Sequence, residues 1–336
     1  MKKNIPFIVL ILTVMVSVCA FADSGKNYKI KRLVSELYDR RKAIRVQRIL
    51  PSYGKEAVEY LLPLLKDKNN ENVRASALYI LGKIGDPSIE GDIIPLLSDR
   101  FQRVRKEAAK ALSAVGTKKS VEPLKGLLGD FDPNIRYAAL MALSEITPEG
   151  EEDTFINALG DYDPRVRKYA VIALGKLEVR DAIPYLAQLV QDIDPEVRLE
   201  VARTLGVFNA EECLEPLIVM TRDPEPGIRM MAIENIGDID SPASEDFLVT
   251  AAASRDPRVA STAILTLGAR QSSKALDVAK RFLDDEHMDV RLASVNVLGQ
   301  LGGKNEKALL EPLLEAESTN VRREARDAIQ AVNSRL

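Results

Sequence analysis

The chain has 336 residues, 46% hydrophobic and 29% charged, with a net charge of −3. That length is crowded for one ordinary core, so two domains or an extended architecture is expected. A single histidine and only two cysteines, Cys19 and Cys213, exclude multi-histidine metal centres, a disulfide framework and cysteine-rich zinc sites, and the acidic balance argues against a nucleic-acid partner.

The chain opens with Lys2 and Lys3, then an uncharged apolar stretch from Ile5 to Val18, then Ala20-Phe21-Ala22. This is the form of a secretory signal peptide over residues 1–22, cut between Ala22 and Asp23. It places the mature chain in the bacterial periplasm or outside the cell, and its removal takes the net charge from −3 to −5, because two lysines and no acids leave. Lipid attachment at Cys19 is disfavoured by Val18, where a small residue is wanted. An uncleaved anchor is the remaining alternative. Residues 23–54 follow as a basic capping region. Ten Lys or Arg face five acids across residues 23–59, so contact with anionic lipid or an acidic partner stays open beside the reading of a solvated cap.

Beyond this region one pattern returns every 31 residues: Val73-Arg74, Val104-Arg105, Ile135-Arg136, Val166-Arg167, Val197-Arg198, Ile228-Arg229, Val259-Ala260, Val290-Arg291 and Val321-Arg322. Nine copies follow without insertion, eight of them in a repeat array over residues 55–316 and the ninth in a capping helix over residues 317–336. Eight residues after the first position stand Leu81, Leu112, Leu143, Leu174, Leu205, Ile236, Leu267, Leu298 and Ile329, and four after it Ala recurs. At about 100° per residue these offsets share one stripe, which predicts an amphipathic helix, helix B. Asp132, Asp163, Asp194 and Asp256, each followed by Pro, read as N-caps. Gly85, Gly116 and Gly302 read as left-handed C-caps. Gly82, Gly175, Gly206, Gly237, Gly268 and Gly299 fall inside the helix, where six costly residues imply close backbone packing. The rest of each repeat, such as Ile93-Ile94-Pro95-Leu96-Leu97, reads as a second apolar helix, helix A. Such a pair must stack on its neighbours to bury its faces.

The string Asp163-Pro164-Arg165-Val166-Arg167-Lys168-Tyr169-Ala170-Val171-Ile172-Ala173-Leu174-Gly175 resembles the short HEAT-like repeat of the phycobilisome-lyase type, and the resemblance covers roughly residues 40–336. It implies an all-α fold: a right-handed α-solenoid of antiparallel helix pairs, of the armadillo type, with B helices on the concave face. It also implies that the arginine column, which could otherwise be an anion-binding track, forms ladders between repeats. Fold alone does not give an activity. The family's bilin lyases leave a lyase-type enzyme or subunit as one alternative, and a membrane-anchored envelope assembly factor, turning on Cys19, as another.

No catalytic, cofactor or metal residue is expected. His287 lies among Asp284, Asp285, Glu286 and Asp289, an acid-rich turn read as solvated, and Cys213 has no base beside it. Ala260 interrupts the arginine column and Arg270 takes an apolar slot, so that helix is expected to end before Arg270 with the guanidinium in solvent. The candidate partner surface is the side of helix B opposite its core stripe. There Tyr137, Met141, Tyr169, Ile172, Leu199 and Met230 form an apolar row, rimmed by Lys106, Lys110, Lys168 and Arg203. Their side chains are expected to be exposed and to favour an acidic partner. The function expected is a non-catalytic, monomeric protein-interaction scaffold of the bacterial cell envelope.

Overall fold

The computed structural model describes residues 25–146 and 150–336. The expected leader, its Ala22/Asp23 cut and Cys19 lie outside the described residues. The chain divides into two compact units, one ending at Thr154 and one running from Phe155 to Leu336.

In the first unit, residues 25–35 are helical (α1). Helix α2 (Arg40–Ile49) follows, its first turn capped by the Asp39 side chain, which accepts the Arg41 N–H. The B helices of this unit are α3 (Glu71–Ile84), α4 (Gln102–Val115) and α5 (Pro133–Ile146). The second unit carries α6 (Pro164–Lys176), α7 (Pro195–Phe208), α8 (Pro226–Asp238), α9 (Pro257–Ala269), α10 (Met288–Leu301) and α11 (Thr319–Asn333). Within each unit every B helix packs against the next. Each unit is an all-α solenoid, and no described helix is long and apolar enough to cross a membrane.

The period of the apolar pattern determines what is buried. Leu81, Leu112 and Leu143 in the first unit, and Leu174, Leu205, Ile236, Leu267 and Leu298 in the second, have no exposed surface. Ile329 is only half-buried, because no described B helix lies beyond α11. Helix starts follow the cap rule. The side chains of Asp132, Asp163, Asp194 and Asp256 each accept a first-turn N–H.

Two expectations about glycine separate here. The internal column is a contact column, as expected. A Cβ on Gly82 would lie 2.9 Å from the Ala111 Cα, and one on Gly299 would lie 2.5 and 2.7 Å from the Cβ and Cα of Ala328. The terminal glycines are not uniformly left-handed caps. Gly85 is (φ 71°), but Gly116 and Gly302 are extended, with φ −72°. Both are instead confined by space, since a Cβ would meet the Leu112 or Leu298 carbonyl at 2.6 or 2.3 Å.

Helix A is also less regular than expected. In the second full repeat it runs as a 3-10 turn (Pro87–Ile89), an α turn (Glu90–Ile93) and another 3-10 stretch (Ile94–Ser98). Pro95 has no N–H to continue the α ladder, and Pro63 and Pro312 open similar 3-10 stretches. The helix bearing Arg270 does end before it, at Ala269, with Gln271 at φ 53°. Its guanidinium is only partly in solvent, the side chain being 19% exposed with Nη2 3.9 Å from the exposed Asp240. It turns inward and donates to the Ser244 hydroxyl at 3.0 Å and the Ile239 carbonyl at 3.4 Å. An interior slot becomes tolerable for a cation once acceptors are supplied.

Two substitutions test the packing. Leu174→Ala should cost about 2–5 kcal/mol in urea unfolding, because it leaves a cavity between stacked helices. Gly299→Ala would gain about 1 kcal/mol of helix propensity but meets backbone, so overpacking of about 1–3 kcal/mol should make it destabilising. Gly91→Ala, which meets nothing within 4 Å, should be neutral or stabilising.

Candidate functional site

The arginine column forms the joints of each solenoid. Arg105 Nε donates to Asp130 at 2.7 Å, and its Nη1 donates to the Asp99 carbonyl at 2.9 Å. In the second unit Arg167 donates to both Asp192 oxygens at 2.7 Å, and Arg198 donates to Asp223 at 2.6 and 3.1 Å. Each guanidinium thus clamps its own loop and the carboxylate of the following loop. That carboxylate also accepts a main-chain N–H two residues on, as Asp130 does from Asp132 and Asp192 from Asp194. Burial pushes the Asp130 carboxyl up, but the Arg105 guanidinium and the Asp132 N–H outweigh it and hold the group below the usual carboxylate range.

The rung varies where the sequence varies. Ser254 replaces the usual Asp, so Arg229 reaches instead to the cap residue Asp256 at 2.8 Å. Ala260 leaves Asp285 without its arginine, and Asp285 takes the His287 N–H at 2.8 Å with His287 Nδ1 3.2 Å away. His287 therefore stands in a ladder joint. Among the described residues no group of three or more His, Cys, Asp or Glu side chains is placed to hold a metal ion. Cys213 is buried, and burial pushes its thiol pKa up, away from the nucleophilic thiolate.

The expected partner row is placed in both units. The first unit holds Tyr137 and Met141 on α5, with Lys106 and Lys110 on α4. The second holds Lys168, Tyr169 and Ile172 on α6, Leu199 and Arg203 on α7, and Met230 on α8. All six apolar residues are half-buried, where exposure was expected. The glycine column draws successive B helices close enough for each to shade part of its neighbour's outer face. Three of the rim cations are engaged: Lys110 lies 3.6 Å from Glu107, Lys168 3.5 Å from Glu196 and Arg203 3.1 Å from Glu200.

In the first unit the shading leaves a cleft of about 350 Å³ across three successive B helices. Leu78, Ala111, Ala114, Ala138 and Met141 line it, with Tyr79, Lys83, Glu107 and Lys110 at its edges. Of the candidate row, only Met141 and Lys110 reach this cleft. Tyr79, 40% exposed, belongs to the same helix face.

A second set of residues escaped sequence reasoning. Phe131 in the first unit, and Tyr162 and Ile193 in the second, are 98%, 98% and 91% exposed. Each sits between two aspartates that its turn uses for ladder and cap, and that Asp-apolar-Asp-Pro pattern was the available signal. The turns are fixed, since Arg136 donates to the Phe131 carbonyl at 3.3 Å and Arg167 to that of Tyr162 at 3.1 Å.

Residues 58–144, 124–194, 152–236, 186–256 and 245–330 match the family described as HEAT repeats. No curated protein matches the sequence. Among solved structures, Kap121p is similar with a TM-score of 0.70 and 14% identity over 92% of this chain and 42% of its own. A structure describing Kap95p binding to RanGDP is similar with a TM-score of 0.64 and 16% identity over 92% of this chain and 51% of that one. The chain thus spans about half or less of either relative's length. At this identity the likeness concerns the fold alone.

The ladder gives a pH prediction. Because folding lowers the Asp130 pKa, the rung's stabilisation is complete above the ordinary carboxylate range and is lost as pH falls through the lowered value. Asp130→Asn should cost about 1–3 kcal/mol at neutral pH. The difference between wild type and variant, followed by urea unfolding, should shrink steadily toward acid pH.

Proposed function

Because this chain belongs to the HEAT-repeat family, we propose that it is a non-catalytic protein-interaction scaffold of the bacterial cell envelope. Its partner binds along the helix-B faces. The observation that carries this reading is the cleft across α3, α4 and α5. Its lining combines the small residues Gly82, Ala111, Ala114 and Ala138 with Leu78, Tyr79 and Met141, and Lys83, Glu107 and Lys110 also border it. Tyrosine offers contact area with a polar tip and methionine adapts its shape, so both suit a docked protein segment. A cleft of this kind can take an apolar side chain of the partner, with Lys83 and the Glu107-paired Lys110 beside it to meet polar or acidic neighbours.

Two experiments test this reading. A photo-cross-linking residue at Met141 should capture a defined partner in the intact envelope, whereas the same residue at Lys118 should not. Tyr79→Ala combined with Met141→Ala should abolish that capture and leave the melting temperature within a few degrees of wild type. Unfolding of the double variant would make these residues core and end the proposal for this cleft. For location, the mature protein should begin at Asp23 on N-terminal sequencing. A lipidated Cys19 at its start would replace soluble export with a membrane anchor.

A further inference from the structure

The first arginine of the ladder makes an incomplete rung. Arg74 is 2% exposed. It donates through Nη2 to Asp99, at 3.0 Å from one oxygen and 2.9 Å from the other, and through Nη1 to the Asp67 carbonyl. Arg105, Arg167 and Arg198 all spend Nε on the facing carboxylate. Arg74 Nε, like Arg229 Nε, has no acceptor in hydrogen-bonding geometry among the described residues, and only Arg74 of the two lines a cavity rich in cations. A buried guanidinium donor without a partner is costly and therefore informative.

Arg74 lines a cavity of about 530 Å³, whose other walls are Leu65, Lys66, Lys68, Leu96, Asp99 and Arg100. Four cations stand there against one carboxylate, and that carboxylate is already held by Arg74. Arg100 is fixed by donation to the Lys68 carbonyl at 3.1 Å and by stacking over the Phe101 ring, 4.5 Å from its centroid. One residue beyond this wall α4 begins, and its N-cap is Phe101, which supplies no side-chain acceptor. In the neighbouring B helices of this unit, Asn70 and Asp132 fill that role. Phe101 therefore removes a cap oxygen beside these basic side chains, so that the Asp99 carboxylate, which accepts the Phe101 N–H at 2.9 Å, is the anion at this helix end.

We propose that this cavity is an anion site for a phosphate monoester, with Lys66, Lys68 and Arg100 as its accessible cations and Arg74 as its buried wall. A dianionic tetrahedral oxyanion matches the charge excess better than a single carboxylate does. Leu65 and Leu96 leave room for an apolar or sugar group carrying the phosphate. The site is separate from the helix-B cleft, so it does not depend on the scaffold reading.

The test is isothermal titration of the full-length mature protein with glycerol 3-phosphate and with inorganic phosphate at low salt, beside flotation with phosphatidate and phosphatidylcholine vesicles. Saturable binding of glycerol 3-phosphate identifies a soluble phosphate ester, and flotation with phosphatidate alone identifies a lipid headgroup. Acetate should bind at least about tenfold more weakly. The triple variant Lys66→Glu, Lys68→Glu, Arg100→Glu should lose binding. Phe101→Asp, which restores the cap of the sister repeats, should also lose binding while keeping or raising the melting temperature, so loss of fold cannot explain the result. Binding that survives either variant, or no phosphate ligand binding better than acetate, overturns the proposal.

Discussion

The close approach of neighbouring B helices is the constraint on which the other features depend. A pair of helices within 31 residues cannot bury its own apolar stripe, so each repeat must lend its surface to the next. The internal glycines set the distance: a methyl group at Gly82 or Gly299 would enter the backbone of the following helix. At that distance the leucine column becomes fully buried. The same approach shades the outer face, so that the expected open row is half-buried and, in the first unit, a shallow cleft remains. Packing and candidate function are thus two consequences of one spacing.

The arginine rungs fix what that spacing leaves free. Apolar stripes alone could slide along one another, whereas a guanidinium that clamps its own loop and the next loop's carboxylate fixes the register. Such a pair gives up solvation of both charges and is repaid only when every donor finds an acceptor. Arg198 meets that condition, with Asp223 and the Asp192 carbonyl as its acceptors. Arg74 and Arg229 do not, since the Nε of each lacks a well-placed acceptor among the described residues, and at Arg74 the shortfall coincides with the basic cavity. In the second unit the same demand appears at Arg270, whose guanidinium is accommodated by the Ser244 hydroxyl.

Much of this was legible in the sequence because a 31-residue period writes each contact several times. The core columns, the Asp-Pro helix starts, the glycine contact column and the arginine ladder all recur, so a single reading explains many residues. What recurs less was read less well. Gly116 and Gly302 look like left-handed caps by position, but local crowding rather than φ selects glycine there. The half-burial of Leu199 depends on how closely the neighbouring helices of its unit lie, which a helical wheel does not contain. Phe101 and Phe131 sit in loops, where hydrophobicity has no period. Their roles, one between two guanidinium groups and one in open solvent, emerge only from the packed neighbours.

The central claim, that repeats are joined by specific rungs as well as by apolar contact, is tested most directly by a double-mutant cycle on Arg198 and Asp223. Urea unfolding of Arg198→Ala, Asp223→Ala and the double variant gives the coupling energy between the two side chains. Their contact is direct and both are largely buried, so a coupling of about 1–3 kcal/mol is predicted. Strict additivity of the two single variants would show that the rung adds nothing beyond the apolar stack and would contradict the account.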